Sequence, residues 1–323
     1  MKVRLDTYRE LGISIALVVM IGVFAFINPV YIRTNNLIDI VQQSTVNGML
    51  AIGITFTIIT GGIDLSVGST FAVVIVSVGM LVTNGVPPLV GVAIGIIIGL
   101  TLGIVNGLLI TKMKLQPFIA TLGMMSVYRG VAYVMTGGWP VVRIPREFRD
   151  LTDGRVIGEI PVSVFSLIAF AIIAHVLLNR TRFGAYLYAI GGNEQATRLS
   201  GVNVDRTKVF AYGFCGIGAA LAGMVLLGRL GSGEPTAGIT YELLAIAAAA
   251  VGGTSLAGGK GTITGTLLGA LLLSALRVGL IVAGMDSFWQ FIATGLVIVV
   301  AAYFEVIQQR LRFQRNKKPV VTP

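Results

Sequence analysis

Cysteine and histidine are nearly missing from this 323-residue chain, which holds only Cys215 and His175. A single cysteine excludes an intramolecular disulfide, and one histidine beside it leaves no basis for a zinc-type metal site or a Ser-His-Asp arrangement. Charge is scarce too. Only 12% of residues are charged, against roughly 25% in an average soluble domain, which excludes an ordinary soluble enzyme. Acidic residues are the scarcer sign, 14 against 24 Lys and Arg, leaving a net charge of +10. That surplus must be located before it is interpreted, because the stretches between charges are mostly apolar.

Long apolar runs are what the chain does have. About 20 such residues carry a helix across a hydrocarbon layer of about 30 Å. No charge interrupts the windows between Glu10 and Arg33, Asp39 and Asp64, Glu159 and Arg180, or Lys208 and Arg229, and each holds one span. Leu65 to Thr111 holds two, divided by the turn chemistry of Asn84-Gly85-Val86-Pro87-Pro88. Gln116 to Thr136, broken by Arg129, adds one more, and Asp286 to Glu305 encloses the last. Between Glu242 and Asp286, glycines from Gly252 to Gly261 separate what reads as spans eight and nine. The expected fold is all-α and polytopic, a single transmembrane domain over residues 1–323 with about ten helices and glycine-rich breaks. A cleaved signal peptide is the competing account of the first span, but the run is too long and Phe26-Ile27-Asn28-Pro29 lacks small residues for cleavage.

The basic residues orient the protein. With the amino terminus inside, segments 1–10, 112–115, 179–208 and 309–323 lie in the cytoplasm and hold 15 of the 24 basic residues, as the positive-inside rule requires. The external loop 137–159 balances four Arg with Glu147, Asp150, Asp153 and Glu159. Both termini are therefore expected to be cytoplasmic, and the +10 faces anionic lipid heads rather than nucleic acid.

Glycine is abundant, with 42 residues. Gly91, Gly95, Gly99, Gly103 and Gly107 recur every fourth residue, as do Gly261, Gly265 and Gly269. Each row makes a smooth helical face on which another backbone can pack. Two other clusters resemble one another: Gly61-Gly62-Ile63-Asp64-Leu65-Ser66-Val67-Gly68 and Gly252-Gly253-Thr254-Ser255-Leu256-Ala257-Gly258-Gly259, each after a Leu-Ala-Ile. Irregular backbone at membrane depth must face protein or water, so the clusters are expected to line something. Gly253 to Gly261 approaches a P-loop, but its spacing is one residue too long and a glycine replaces the hydroxyl residue. The chain is expected to catalyse no reaction, to bind no metal or cofactor itself, and to draw its energy elsewhere.

The loop 179–208 carries the clearest local signal. Asn193 can cap a helix, Glu194 suits its first turn and Gly201 can end it. Two turns are too short to be stable alone. A helix lying on the membrane surface is one reading, and a docking knob for a cytoplasmic subunit, with Ala196 and Leu199 on one face and Arg198 on another, is the sharper one.

Several strings together resemble the permeases of ribose-type ABC importers of monosaccharides: Gln42-Gln43-Ser44-Thr45-Val46-Asn47, the cluster from Gly61 to Gly68, Pro117-Phe118-Ile119-Ala120-Thr121-Leu122, Tyr188 to Glu194, Ala196-Thr197-Arg198-Leu199-Ser200-Gly201, Pro235-Thr236-Ala237-Gly238, Tyr241-Glu242-Leu243 and the cluster from Gly252 to Gly259. The resemblance covers nearly the whole chain. It implies a bacterial inner-membrane protein working with a second permease copy, a cytoplasmic ABC ATPase that holds ATP and Mg, and a soluble sugar-binding protein. Asn193, Glu194, Ala196, Thr197, Arg198, Leu199 and Gly201 would form the coupling helix. Gln43, Asn47, Asp64, Ser66, Phe118 and Thr121 are the candidate pathway residues, although Asp64 reads equally as a helix cap and Phe118 as core. The chain departs from the ribose pattern at Glu234, Leu244, Leu276 and Arg277, which opens the substrate to other pentoses, hexoses, polyols or furanose-like molecules. Arg129 and Arg277, within spans, should face the bundle interior; His175 reads as an interfacial residue, and Met124 and Met125 as core. An ATP-independent secondary transporter is the alternative, with Asp64 its one strong coupling candidate. A membrane scaffold would leave the glycine breaks without a purpose.

Overall fold

The computed structural model describes residues 2–286, 288–293, 295–297, 299–300 and 303. The end of the tenth expected span and the basic segment 309–323 lie outside the described residues. The expected spans map in order onto α1 (Lys2–Ile27), α2 (Thr34–Ile59), α3 (Val67–Thr83), α4 (Pro88–Thr111), α5 (Pro117–Thr136), α7 (Val162–Arg180), α10 (Val204–Leu230), α11 (Tyr241–Val251), α12 (Ile263–Val282) and a helical stretch from Phe288. Proline opens α4 and α5, where a missing N–H costs nothing. Left-handed Gly137 and Gly231 close α5 and α10.

Among the described residues, six helices, α1 (from Glu10), α4, α5, α7, α10 and α12, are long and apolar enough to cross a membrane. The central helix α2 has 26 residues, and every residue from Gly48 to Ile59 is buried. Its polar run Gln42–Asn47 is buried to half-buried, away from lipid that could not satisfy those groups. Helix α10 packs chiefly on α4, then on α2 and α3. The outer faces of α1, α4, α5 and α7 expose Ile15, Val18, Ile97, Val134, Ile172 and Ile173, an arrangement suited to hydrocarbon.

Glycine rows set the close approaches. A Cβ on Gly99 would strike the carbonyl oxygen of Gly216, and one on Gly103 that of Tyr212, so α4 and α10 meet backbone to backbone. Gly95 stands against Met224 Sδ, which a Cβ would approach to 2.7 Å. Gly265 and Gly269 bring α12 equally close to Gly252 and to Ala248 of α11.

Two segments carry more local structure than the spans alone describe. Span eight is a half-helix: the 11 residues of α11 rise only about 16 Å. The preceding segment, residues 231–240, is non-helical and runs along α3, with Gly233 beside Ile75 and Gly238 beside Gly68. The loop segment 137–159 holds structure of its own. It contains the amphipathic α6 (Arg146–Asp153) and the first strand of a small antiparallel hairpin, β1 (Arg155–Ile157) with β2 (Ile160–Pro161), registered Arg155 to Pro161 and Ile157 to Ile160. Asp153 ties this unit to the bundle by accepting from Ser163 Oγ at 2.5 Å and Arg229 Nε at 3.0 Å.

Candidate functional site

A cleft opens between α2, α10, α11, α12 and the helical stretch from Phe288. Gln43 and Asn47 line it from successive turns of α2, facing Arg229, Tyr241, Ser274 and Arg277. The Gln43 Oε1 and Asn47 Oδ1 atoms are buried and lack a hydrogen-bond partner among the described residues. A buried acceptor without a donor is costly, which sets these two oxygens apart from the paired groups around them. Arg229 is not available to such a guest in full. Its guanidinium bonds Asp153, Gln42 O at 3.0 Å and Thr45 Oγ1 at 3.2 Å. Arg277 donates to Gln290 Oε1 at 2.8 Å. Leu244, Leu276 and Arg277 also line this cleft.

Asp64, Ser66 and Thr121 lie elsewhere and are occupied with other groups. Asp64, 2% exposed, accepts from Ser66 N at 2.9 Å and Ser66 Oγ at 2.7 Å. Asn106 Nδ2 donates to Ser66 Oγ at 2.7 Å, and Tyr128 OH lies 3.2 Å from Asn106 Oδ1. The Thr121 hydroxyl is 3.0 Å from the Ile63 carbonyl oxygen and 2.9 Å from that of Pro117. The first glycine break is thus clamped to α4 and α5 by a polar cluster. Phe118 stands apart from both places, half exposed in the first turn of α5. Of the six pathway candidates, the cleft brings together Gln43 and Asn47.

Arg129 finds its partners in backbone. It donates to the carbonyl oxygens of Pro235 at 2.6 Å, Ala237 at 2.7 Å and Gly68 at 3.2 Å. One guanidinium thereby satisfies acceptors that the non-helical segment 231–240 would leave unpaired at depth.

At the end of the bundle where α7 and α10 meet the loop 179–208, α8 (Arg182–Gly192) leads into α9 (Glu194–Leu199). Asn193 caps α9 by accepting from Ala196 N at 2.9 Å, and Gly201 follows with φ +83°. Glu194 bonds Lys208 Nζ at 2.6 Å, while Arg198 bonds Asp205 at 2.8 Å. Partial burial pushes the Glu194 carboxyl up, but Lys208 and Arg198 outweigh it and hold it below the usual glutamate value. Thr197 faces inward and is buried, while Ala196 is exposed and Leu199 is 90% exposed. A fixed short helix therefore presents a bare apolar side chain.

The model of the family described as branched-chain amino acid transport system / permease component matches residues 36–301. The chain belongs to this permease family. The ribose import permease protein RbsC of Bacillus subtilis (strain 168) is 44% identical to the permease, covering 92% of both chains. RbsC of Escherichia coli (strain K12) is 46% identical, over 89% of this chain and 90% of the relative. The galactose/methyl galactoside import permease protein MglC of the same strain is 34% identical, over 96% of each. No solved structure matches the permease.

Three features of the permease site escaped sequence reading. Asn106 and Tyr128 join the Asp64 cluster from 42 and 64 residues away, as their bonds to Ser66 and Asn106 show. The one available signal was a lone Asn within the glycine row of α4. Arg129 had no legible partner because backbone carbonyls leave no trace in side-chain pattern. The cleft itself needed the packing of five helical elements.

Proposed function

We propose that the chain is the membrane-spanning permease of an ATP-driven importer that moves a monosaccharide, ribose or a close relative, delivered by a soluble binding protein. The observation that carries this is 44% identity across 92% of the chain with a ribose import permease. A cytoplasmic ABC ATPase binds ATP and Mg, and its groove receives α9 through Leu199, with Ala196 beside it. Two permease copies form the transporter in the bacterial inner membrane, surrounded by lipid, with both termini in the cytoplasm. The sugar passes the cleft at Gln43 and Asn47. Three departures from the ribose pattern at that cleft support a substrate differing from ribose in ring or hydroxyl pattern. The test is ATPase copurification with the permease, joined to uptake of labelled sugars chosen by screening the cognate binding protein. Uptake with no ATPase present would favour a secondary transporter instead.

Replacing Asn47 by Leu is expected to slow uptake about tenfold, the scale of one lost hydrogen bond to a desolvated group, while ATP hydrolysis stimulated by loaded binding protein persists. A deoxy sugar lacking the donor hydroxyl should narrow the difference between Asn47→Leu and the parent. An unchanged uptake rate would take Asn47 out of the pathway.

Orientation is checked with cysteines at Gln195 and Asp150, both exposed, in a Cys215→Ala background. An impermeant thiol reagent added outside intact cells should label position 150 alone. Labelling of both positions would reject the proposed topology.

A further inference from the structure

The two glycine clusters that resemble one another in sequence meet in space, and α8 is wedged against both. Gly259 N donates to the Ile59 carbonyl oxygen at 2.9 Å, joining the end of α2 to the loop after α11. Gly258 lies over Gly61, where a Cβ would come within 3.0 Å of the Gly61 nitrogen. Gly191, in the last turn of α8, closes the junction: a Cβ there would collide with Ile59 O and Gly259 N. One turn earlier, Tyr188 OH donates to the Gly261 carbonyl oxygen at 2.7 Å. Two residues beyond Gly191, the Asn193 cap begins α9.

This geometry has a mechanical consequence. Where side chains separate two elements, a small displacement can be absorbed by rotamer changes, whereas contact between backbones offers no such compliance. A shift of α8 and α9 therefore reaches residues 59–61 and 258–261 directly. Those loops contain left-handed glycines at Gly61, Gly258 and Gly259, which tolerate backbone rotation that other residues resist. The first loop continues into α3. The second joins α11 and α12, which carry Tyr241, Leu244 and Ser274 of the cleft. Helix α9 lies outside the apolar bundle and needs some such connection to influence the cleft.

We propose that Tyr188 and Gly191 are positioning residues that carry movement of the α9 docking helix into both glycine breaks at once, coupling ATPase motion to the cleft. This rests on the ATP-driven import reading above and adds the route within the permease. A route is established by coupling measurements rather than by adjacency, so the test is sugar moved per ATP hydrolysed. It uses the complete transporter of permease, ATPase and binding protein in proteoliposomes.

Tyr188→Phe keeps the ring and removes the bond to Gly261, and should lower the ratio at least about fivefold, a usual scale for coupling between sites. Gly191→Ala should lower it further. In both, ATPase copurification should match the parent. Gly192→Ala is the control, because a Cβ there meets no atom within 4 Å, and its ratio should be unchanged. If uptake and hydrolysis fall in parallel at a constant ratio, or the ratio stays at the parent value, the inference is overturned. Should Gly191→Ala fail to assemble, Tyr188→Phe decides. A parent transporter that shows no ATP-driven uptake would overturn the import reading itself, and this inference with it.

Discussion

Replacing Leu199 by Asp is expected to abolish sugar uptake while the permease still inserts and folds. Leu199 is 90% exposed on a helix of six residues, and its surroundings are already fixed without it. Asn193 caps the helix, Thr197 is buried and donates to the Asn193 carbonyl oxygen, and Glu194 and Arg198 pair with Lys208 and Asp205. The substitution therefore removes nothing that holds the permease together. In a dry groove of the ATPase, however, the new carboxylate would have no partner. An unpaired buried charge costs several kcal/mol, and each ~1.4 kcal/mol is a factor of about ten in affinity. Capture of the ATPase should fall at least about tenfold, with loss of both uptake and substrate-stimulated hydrolysis. Charge reversal at Arg198, whose pairs are surface-exposed, should do less. Copurification of the ATPase with Leu199→Asp, measured beside uptake in the same cells, decides the matter: full retention of both would remove α9 as the docking element.

The second large effect is expected inside the bundle. Gly99→Leu places a side chain where α4 and α10 touch through backbone. The first added carbon would collide with Gly216 O and come within 2.7 Å of the Ala220 Cβ. Flexible side chains can yield to such an intrusion, but a carbonyl of a packed helix cannot without moving the helix. Overpacking typically costs about 1–3 kcal/mol, and this contact belongs at the upper end. The expected result is a marked fall in folded, detergent-stable permease and in uptake. Gly22→Leu supplies the comparison, because a Cβ on Gly22 of α1 meets no atom within 4 Å, and it should resemble the parent. Equal yields of folded Gly99→Leu and parent protein would mean that the two helices do not meet along this row.

These two sites differ in how far the sequence could specify them. The α9 helix was legible because capping is local: Asn193, Glu194 and Gly201 act within a few residues, and their chemistry does not depend on the remainder of the fold. The spans were legible for a related reason. A run of about 20 apolar residues suits hydrocarbon whatever its neighbours are. Glycine spacing likewise marked a flat face on α4, although it could not say that α10 would cover it.

Tertiary structure alone decided the rest. Asp64 reads locally as a cap or as a pathway acid, and its surroundings come from packing: Asn106 of α4 bonds Ser66 beside it, and Tyr128 of α5 bonds Asn106. The non-helical segment 231–240 ahead of α11 keeps two of its carbonyls paired because Arg129, from another helix, supplies donors to Pro235 and Ala237. Gln43 and Asn47 become cleft residues only when α10, α11 and α12 pack around α2 and leave their oxygens without donors. Periodicity and capping are carried by neighbours along the chain, so sequence determines them. Which distant group meets a buried polar atom is settled when the helices pack, because a polar group in an apolar bundle takes whatever partner the fold brings within reach.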